Sequence, residues 1–356
     1  MKKINVAILF GGKSAEHEVS LRSAKNVFDA INKEKYQPIL IGIDKQGRWL
    51  LNKDSRALLT AGKIDEASDS VAMIPQSHGT LANFSHPANQ PAIDVVFPIL
   101  HGPFGEDGTV QGLLKLANVP FVGAGVLGSA VGMDKEVMKR LLRDAGLPIA
   151  DFLVYKDFEK IDFNFVADKL GLPFFLKPAN LGSSVGVHKI KIQADFAAAV
   201  ADAFRYDRKI IMEEFIKGRE IECAVLGNDE PLASLPGEIV VNAEFYSYEA
   251  KYLNENGARL EIPAKLDKDL QKKIQDLAVK TFQTLSCEGL GRVDFFLREN
   301  SDVVVNEINT MPGFTSISMY PKLWEASGLS YTELIDRLIQ LAVERFAKEQ
   351  KIKTSH

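Results

Sequence analysis

Asp294 lies in the apolar run GRVDFFL, and Glu307 and Asn309 lie in the next, VVVNEINTMPG, with Arg292 two residues before Asp294. Side chains alternate along a strand, so Arg292 and Asp294 share a face, as do Glu307 and Asn309. If the two runs pair as a hairpin, three hard oxygen donors converge beside a guanidinium. So few oxygens suit Mg²⁺, which keeps several waters and is usually completed by substrate phosphates. Such a site would belong to an enzyme that handles a nucleotide phosphate. An edge hairpin with solvated acids would carry the same residues, and this stretch alone leaves both readings open.

Other stretches carry chemistry of the same kind. In PFFLKPANLGSSVGV, Lys177 ends an apolar strand and a Gly/Ser loop follows. Backbone N–H groups and hydroxyls of such a loop can close over phosphates, with Lys177 as a point charge. The spacing is not GxxxxGK[ST] before a helix, so this is not the common phosphate loop. A polar hairpin tip is the plain alternative; the adjacent hydroxyls of Ser183 and Ser184 between two glycines favour phosphate. IIMEEFIKGREIECAV reads as strand, turn, strand, able to present backbone groups to a base and Glu213 or Glu220 to a ribose. In VAILFGGKSAEHEVS the dinucleotide pattern GxGxxG is missing. Glu16 there is placed to hold a cationic group, and His17 reads as solvated. ILHGPFGEDGT sets His101 at the C-terminal end of a strand, where ligands gather in parallel α/β sheets; a satisfied loop histidine is the alternative. EFYSYEAKY, with Lys251 and Tyr252, has no helix or strand period and suggests a lid over residues 244–257.

The elements that must position these residues fall into regions. A chain of 356 residues exceeds one ordinary core and predicts two or three domains. Up to about Met133, strands and helices alternate: VAILF, a helix near Ser20 to Ile31, PILIGID, RWLL, AIDVVFPIL, a helix from Val110, and VPFVG. Continuous apolar runs in that order predict a parallel sheet covered on both faces. Residues 52–91 are weakly patterned and read as an embellishment outside the sheet. DKEVMKRLLRDAG then predicts an amphipathic helix with Asp134 as N-cap and Gly146 as stop. Strands at ADFLVY, PFFLK, VGVHKIK and KIIMEEF, with helices near 163–170 and 195–206, predict a small α+β domain. Beyond Gly218 come strands EIECAVLG, LASLPGEIV, GRVDFFL and VVVNEI, and helices near 270–284 and from Tyr331 on.

Composition excludes some partners. A formal charge of -4 with interspersed signs lacks the basic face that tracking nucleic acid needs. No apolar stretch approaches a membrane span, and the start, MKKINVAILFGG, leads into charge rather than a signal cleavage site. Cys223 and Cys287 form no framework or metal pattern and read as reduced, packed thiols of a cytoplasmic protein.

Taken in order, GGKSAEHEVS, LHGPFGEDG, MDK, PFFLKPANLGSSVGV, EEFIKGRE, YEAKY, GRVDFF and NEINTMPGFTSIS resemble the D-alanine–D-alanine ligase family of the ATP-grasp superfamily. The resemblance covers nearly the whole chain and is loose only over residues 52–91. It implies a combined α/β and α+β, three-domain ATP-grasp architecture: an N-terminal parallel-sheet domain (1–133), a central subdomain (134–217), and a C-terminal subdomain with metal site and lid (218–356). It implies ligation of two D-alanine molecules to D-alanyl-D-alanine through D-alanyl phosphate, for peptidoglycan precursors, with ATP between the last two domains. Lys135 and Lys177 match the family's nucleotide-phosphate lysines, and Ser184 and Lys251 further phosphate contacts. The segment Glu213, Glu214 to Ile216 matches the adenine hinge, and Glu220 a ribose ligand. Asp294, Glu307 and Asn309 match the ligands of two Mg²⁺ (or Mn²⁺) ions. Glu16, Ser183 and Tyr252 match a hydrogen-bonded trio at the first amino-acid site, and His101 falls on the substrate-facing loop. Arg292 and the Gly313 N–H match an oxyanion site; Ser318, with Met319 beside it, matches a contact to the second substrate's carboxylate. A homodimer is implied, with no nucleic-acid or membrane partner. The rivals are a ligase taking D-lactate or D-serine second, disfavoured by YEAKY, and a regulatory nucleotide binder, disfavoured by the complete lysine, arginine and acid set.

Overall fold

The computed structural model describes residues 2–51, 64, 68–83, 92–241 and 258–353. Strand β1 (Ile4–Gly11) is buried from Val6 onward, as a strand covered on both faces must be. Helix α1 (His17–Ala30) returns the chain to β2 (Tyr36–Ile43), which pairs parallel with β1. Then β3 (Trp49–Leu51), β4 (Asp69–Met73) and β5 (Leu81–Asn83) add antiparallel, and β6 (Val95–Ile99) pairs parallel on the other side of β1. The order is β5-β4-β3-β2-β1-β6.

Three expectations change here. The sheet is mixed, parallel only over β2, β1 and β6. The 52–91 stretch is not outside the sheet, because β4 and β5 extend its edge; short strands burying Val71, Met73 and Leu81 leave little periodicity to read. VPFVG makes only a bridge from Phe121 to Val96, since Pro120 has no N–H to carry the ladder on. Helices α2 (Thr109–Leu116) and α3 (Val126–Met133) complete this part; α3, with two glycines and no polar face, was not expected.

Helix α4 (Lys135–Asp144) begins as predicted, with the Asp134 carboxylate accepting from the Glu136 and Val137 N–H groups at 3.1 Å. The antiparallel sheet β7-β10-β8-β9 follows, from β7 (Phe152–Lys156), β8 (Phe174–Pro178), β9 (His188–Ile190) and β10 (Lys209–Glu214), carrying α5 (Phe163–Leu170) and α6 (Gln193–Ala203). A further antiparallel sheet, β14-β13-β11-β15-β16, is built from β11 (Gly218–Gly227), β13 (Gly237–Val241), β14 (Ala258–Glu261), β15 (Gly289–Arg298) and β16 (Val303–Asn309), with β12 (Leu232–Ala233) on β11. LASLPGEIV thus divides into β12 and β13 around Pro236. Helix α7 (Lys268–Thr284) packs on this sheet, followed by α8 (Met319–Ala326), also unexpected, and α9 (Tyr331–Glu349).

A Ser330–Glu333 capping box starts α9, whose apolar stripe of Leu334, Leu338 and Leu341 joins one core with Val6, Phe97 and Tyr320. That shared core ties the N-terminal sheet to the last one. Buried Arg345 reinforces the joint by donating to the carbonyls of Phe121 and Gly123. Among the described residues no helix is long and apolar enough to cross a membrane.

Candidate active site

A cleft of about 430 Å³ opens between the four-stranded and last sheets. Its floor holds the acids. Strands β15 and β16 pair antiparallel with Asp294 directly opposite Glu307 and Arg292 opposite Asn309. On the other side of β15, Glu222 of β11 lies opposite Asp294. Glu222, Asp294 and Glu307 therefore form a transverse row of carboxylates across three strands. Like charges directly opposite repel, so cations must compensate. Arg292 does so for two of them: its Nε and Nη2 meet Asp294 at 2.7 and 2.8 Å, and Nε lies 2.8 Å from Glu222. Lys135 Nζ lies 3.4 Å from Glu307. Asn309 Nδ2 donates to Asp294 Oδ2 at 2.9 Å, leaving its amide oxygen as the donor it can offer a cation. Among the described residues no three His, Cys, Asp or Glu side chains form a ready metal cage. Two carboxylates and an amide oxygen, Asp294 being only 15% exposed, fit instead an ion completed by phosphate oxygens and water.

The opposite wall comes from β8, β10 and the loop after Pro178. Lys177 and Glu213 meet at 2.7 Å, and Lys139 reaches the other Glu213 oxygen at 3.2 Å. The Lys139 side chain is 0% exposed and Glu213 7%. Burial drives the Lys139 ammonium below the ordinary lysine range, against the pull of Glu213. Burial opposes charge on Lys177 too, but Glu213 and Glu307 outweigh it and hold its pKa up. Burial likewise disfavours the Glu213 carboxylate, and the two lysines more than reverse that. Lys135 donates to the Leu181 carbonyl at 2.9 Å, and Asp207 accepts from Asn180 N–H at 2.8 Å, so the loop is tied at its entry. Beyond, Ser183 and Ser184 have φ of 54° and 58°, a left-handed pair that serine adopts only at a cost of order 1 kcal/mol each. The strained turn lets the Ser183 hydroxyl donate to Glu16 of the N-terminal sheet.

Ser184, Glu213, Glu214, Ile216 and Glu220 line the same cleft as Lys135, Lys177, Asp294 and Glu307. Glu214 accepts from Asp151 N–H at 3.2 Å and from Arg298 at 3.1 Å, which pins the crossing between sheets. Gly313 and Ser318 lie just past β16, where Ser318 Oγ accepts from Thr315 N–H at 2.9 Å. The Met319 side chain is in the core against Gly237, so its backbone is what it can offer a ligand. His101 is 4% exposed, and both its ring nitrogens face protein partners. His17 is buried rather than solvated, Nδ1 meeting the Gly12 carbonyl at 2.8 Å. Lys251, Tyr252 and the expected lid at 244–257 lie outside the described residues.

Three residues escaped the sequence reading. Lys139 was detectable, because it falls on the buried stripe Lys135, Met138, Lys139, Leu142 of an otherwise amphipathic helix. Glu222 alternates with Glu220, but only pairing with β15 puts it in the acid row. Glu106 accepts from the N–H groups of Gly102 at 2.6 Å and Met311 at 3.2 Å; burial and the Glu16 charge push its pKa up to about 8.

Known proteins resemble this chain along its whole length. Residues 5–124 match the family profile "D-ala D-ala ligase N-terminus" and residues 141–340 match "D-ala D-ala ligase C-terminus". The D-alanine–D-alanine ligase of Oceanobacillus iheyensis is 53% identical over 363 aligned positions, covering 100% of this chain and 99% of that one. D-alanine–D-alanine ligase A of Escherichia coli K12 is also 53% identical, covering 100% of both. Among solved structures, the D-alanine–D-alanine ligase of Coxiella burnetii has a TM-score of 0.87 at 39% identity, covering 99% of this chain and 97% of its own. The D-Ala:D-Ser ligase VanG of Enterococcus faecalis has the same TM-score at 36% identity, covering 96% of this chain and 100% of its own. Matched in both halves by the family's profiles and from end to end by relatives of one activity, the chain belongs to the D-alanine–D-alanine ligase family.

Proposed function

We propose that this enzyme joins two D-alanine molecules into D-alanyl-D-alanine with conversion of ATP to ADP and phosphate, supplying peptidoglycan precursors. The observation that carries the reading is the facing of two walls across one cleft, Lys177 with the Ser183–Ser184 turn on one and the Asp294–Glu307 pair, braced by Arg292, on the other. A free carboxylate does not acylate an amine, so it must first be activated. The γ-phosphoryl of ATP passes to the first D-alanine carboxylate, giving D-alanyl phosphate and ADP. Such a transfer is mainly positioning and charge neutralisation, the part given to Lys135, Lys177 and the backbone around Ser184. Asp294, Glu307 and Asn309 would hold Mg²⁺ or Mn²⁺, which when bound neutralises charge on the phosphate oxygens. Glu213, Glu214 and Ile216 border the base, and Glu220 the ribose.

The second D-alanine then attacks through its amine. Its ammonium must lose a proton first, a task for which Tyr252, Ser183 and Glu16 are the candidates, and the tetrahedral adduct collapses as phosphate leaves. Arg292 and the Gly313 N–H stabilise the oxyanion, Ser318 and Met319 N–H orient the second carboxylate, and Lys251 closes on phosphate. The division at 133/134 and 217/218, a homodimeric assembly and a cytoplasmic location, where ATP is at hand and both cysteines stay reduced, belong to the same reading. Phosphate release and dipeptide formation would be measured with D-alanine alone, D-alanine plus D-lactate, and no amino acid. Phosphate and D-alanyl-D-alanine with D-alanine alone are expected; preferential use of D-lactate, or release without any amino acid, refutes the assignment.

A further inference from the structure

Between β16 and α8 the chain runs Met311-Pro312-Gly313-Phe314, and the N-terminal sheet grips it by its backbone. Glu106 Oε1 accepts from the Met311 N–H at 3.2 Å, while Oε2 accepts from the Gly102 N–H at 2.6 Å. His101 Nδ1 lies 3.0 Å from the Met311 carbonyl. A carbonyl only accepts, so Nδ1 carries the proton and Nε2 is the acceptor. The Ser23 hydroxyl, its Oγ 3.3 Å from Nε2, donates to that nitrogen, and Oγ accepts in turn from the Phe314 N–H at 3.2 Å. The Phe314 carbonyl accepts from Asn26 Nδ2 at 3.2 Å and Tyr331 OH at 2.7 Å. Its fully buried ring stands edge-on to Phe97, centroids 5.8 Å apart. Burial keeps His101 neutral, the state this donor and acceptor order requires.

Both residues flanking the Pro312–Gly313 pair are thus bonded at N–H and at C=O. Gly313 itself is the most conformationally free residue available. A Cβ there would lie 2.7 Å from Ser318 Oγ and would push that hydroxyl off the Thr315 N–H. A donor on such a residue aims correctly only if its neighbours are held. We propose that Glu106, His101 and Ser23 are positioning residues: they clamp Met311 and Phe314 and thereby aim the Gly313 N–H at the oxyanion of the tetrahedral adduct. This rests on the ligase reading, and it moves His101 from a substrate contact to a support of the oxyanion site.

Glu106→Met removes both acceptor oxygens at similar length, and Glu106→Gln keeps one. The Met variant is expected to lose about 10- to 100-fold in kcat, since a misplacement of about 1 Å costs up to about 10²-fold, with the KM for ATP within twofold of the parent. A purely structural role would not single out the adduct, so affinity for a tetrahedral phosphinate mimic of the dipeptide, measured with ATP present, should fall in proportion to kcat. Glu106→Gln should recover most of both. Ser23→Ala, a small change, should lower kcat and phosphinate affinity together by about fivefold, and decides the matter if Glu106→Met does not fold. Parent-like kcat, or lowered kcat with unchanged phosphinate affinity, overturns the proposal. If the parent enzyme makes no dipeptide from ATP and D-alanine, it is the ligase reading that fails.

Discussion

Replacing Glu213 by Gln removes the carboxylate that Lys139 and Lys177 share. Both lysines keep Glu307 as a neighbouring charge, but Lys139, fully buried, has Glu307 only as a weaker pull beside the Asn306 carbonyl at 3.3 Å. At 3.2 Å and an effective dielectric of about 20, the lost attraction is about 5 kcal/mol. A second limit applies: Lys139 can escape by shedding its proton, and neutralising an ordinary lysine at pH 7 costs about 4.6 kcal/mol. The variant should therefore lose about 3–5 kcal/mol of local stability at pH 7, the range for breaking a buried pair. With Lys139 neutral in the fold and protonated when unfolded, the unfolded state binds more protons. Stability of the variant then rises with pH, by about 1.4 kcal/mol per unit, until the unfolded lysine titrates near pH 10. At pH 9 the deficit shrinks to about 2 kcal/mol. The double variant Lys139→Met with Glu213→Gln should return to within about 1–2 kcal/mol of the parent, because an apolar pair needs no compensation. Amide hydrogen exchange along β10, on nucleotide-free protein, is the suitable readout, since a chain of three sheets need not unfold in one step. A loss under about 1 kcal/mol at pH 7, or a deficit that does not shrink by pH 9, refutes the idea that Glu213 holds a buried ammonium in place.

Asp294→Asn should raise the Mg²⁺ concentration for half-maximal rate and cut turnover at least about 100-fold, while costing about 1–2 kcal/mol of nucleotide-free stability because Arg292 keeps Glu222; wild-type turnover would sink the metal assignment. Arg292→Lys keeps one charge but loses the fork that meets both Asp294 oxygens, and kcat should drop about 10²–10³-fold with the KM for ATP little changed, which steady-state kinetics can contradict. Glu106 has a folded pKa near 8, above its value in the unfolded chain, so its contribution is complete below about pH 4.5 and fades as pH rises toward 8. Urea unfolding of the parent should therefore lose at most about 1.4 kcal/mol per pH unit across that window, and Glu106→Gln should remove that slope; parallel profiles would contradict it.

What the sequence determined by itself was local. Alternation placed Arg292 with Asp294 and Glu307 with Asn309 on shared faces, the capping pattern started α4 at Asp134, and motif order pointed to the family. Lys139 on the buried stripe of α4 was within the same reach. Pairing across distance was not. Glu222 enters the acid row only because β11 and β15 align it with Asp294, a register set by strands some 70 residues apart. The antiparallel edge of the first sheet depends on short strands whose burial comes from neighbours rather than from their own period. The grip of Glu106, His101 and Ser23 on Met311 and Phe314 joins residues about 200 to 290 positions apart. Backbone groups are its targets, and every residue but proline presents the same N–H and C=O, so no side-chain pattern in the segment could have announced it.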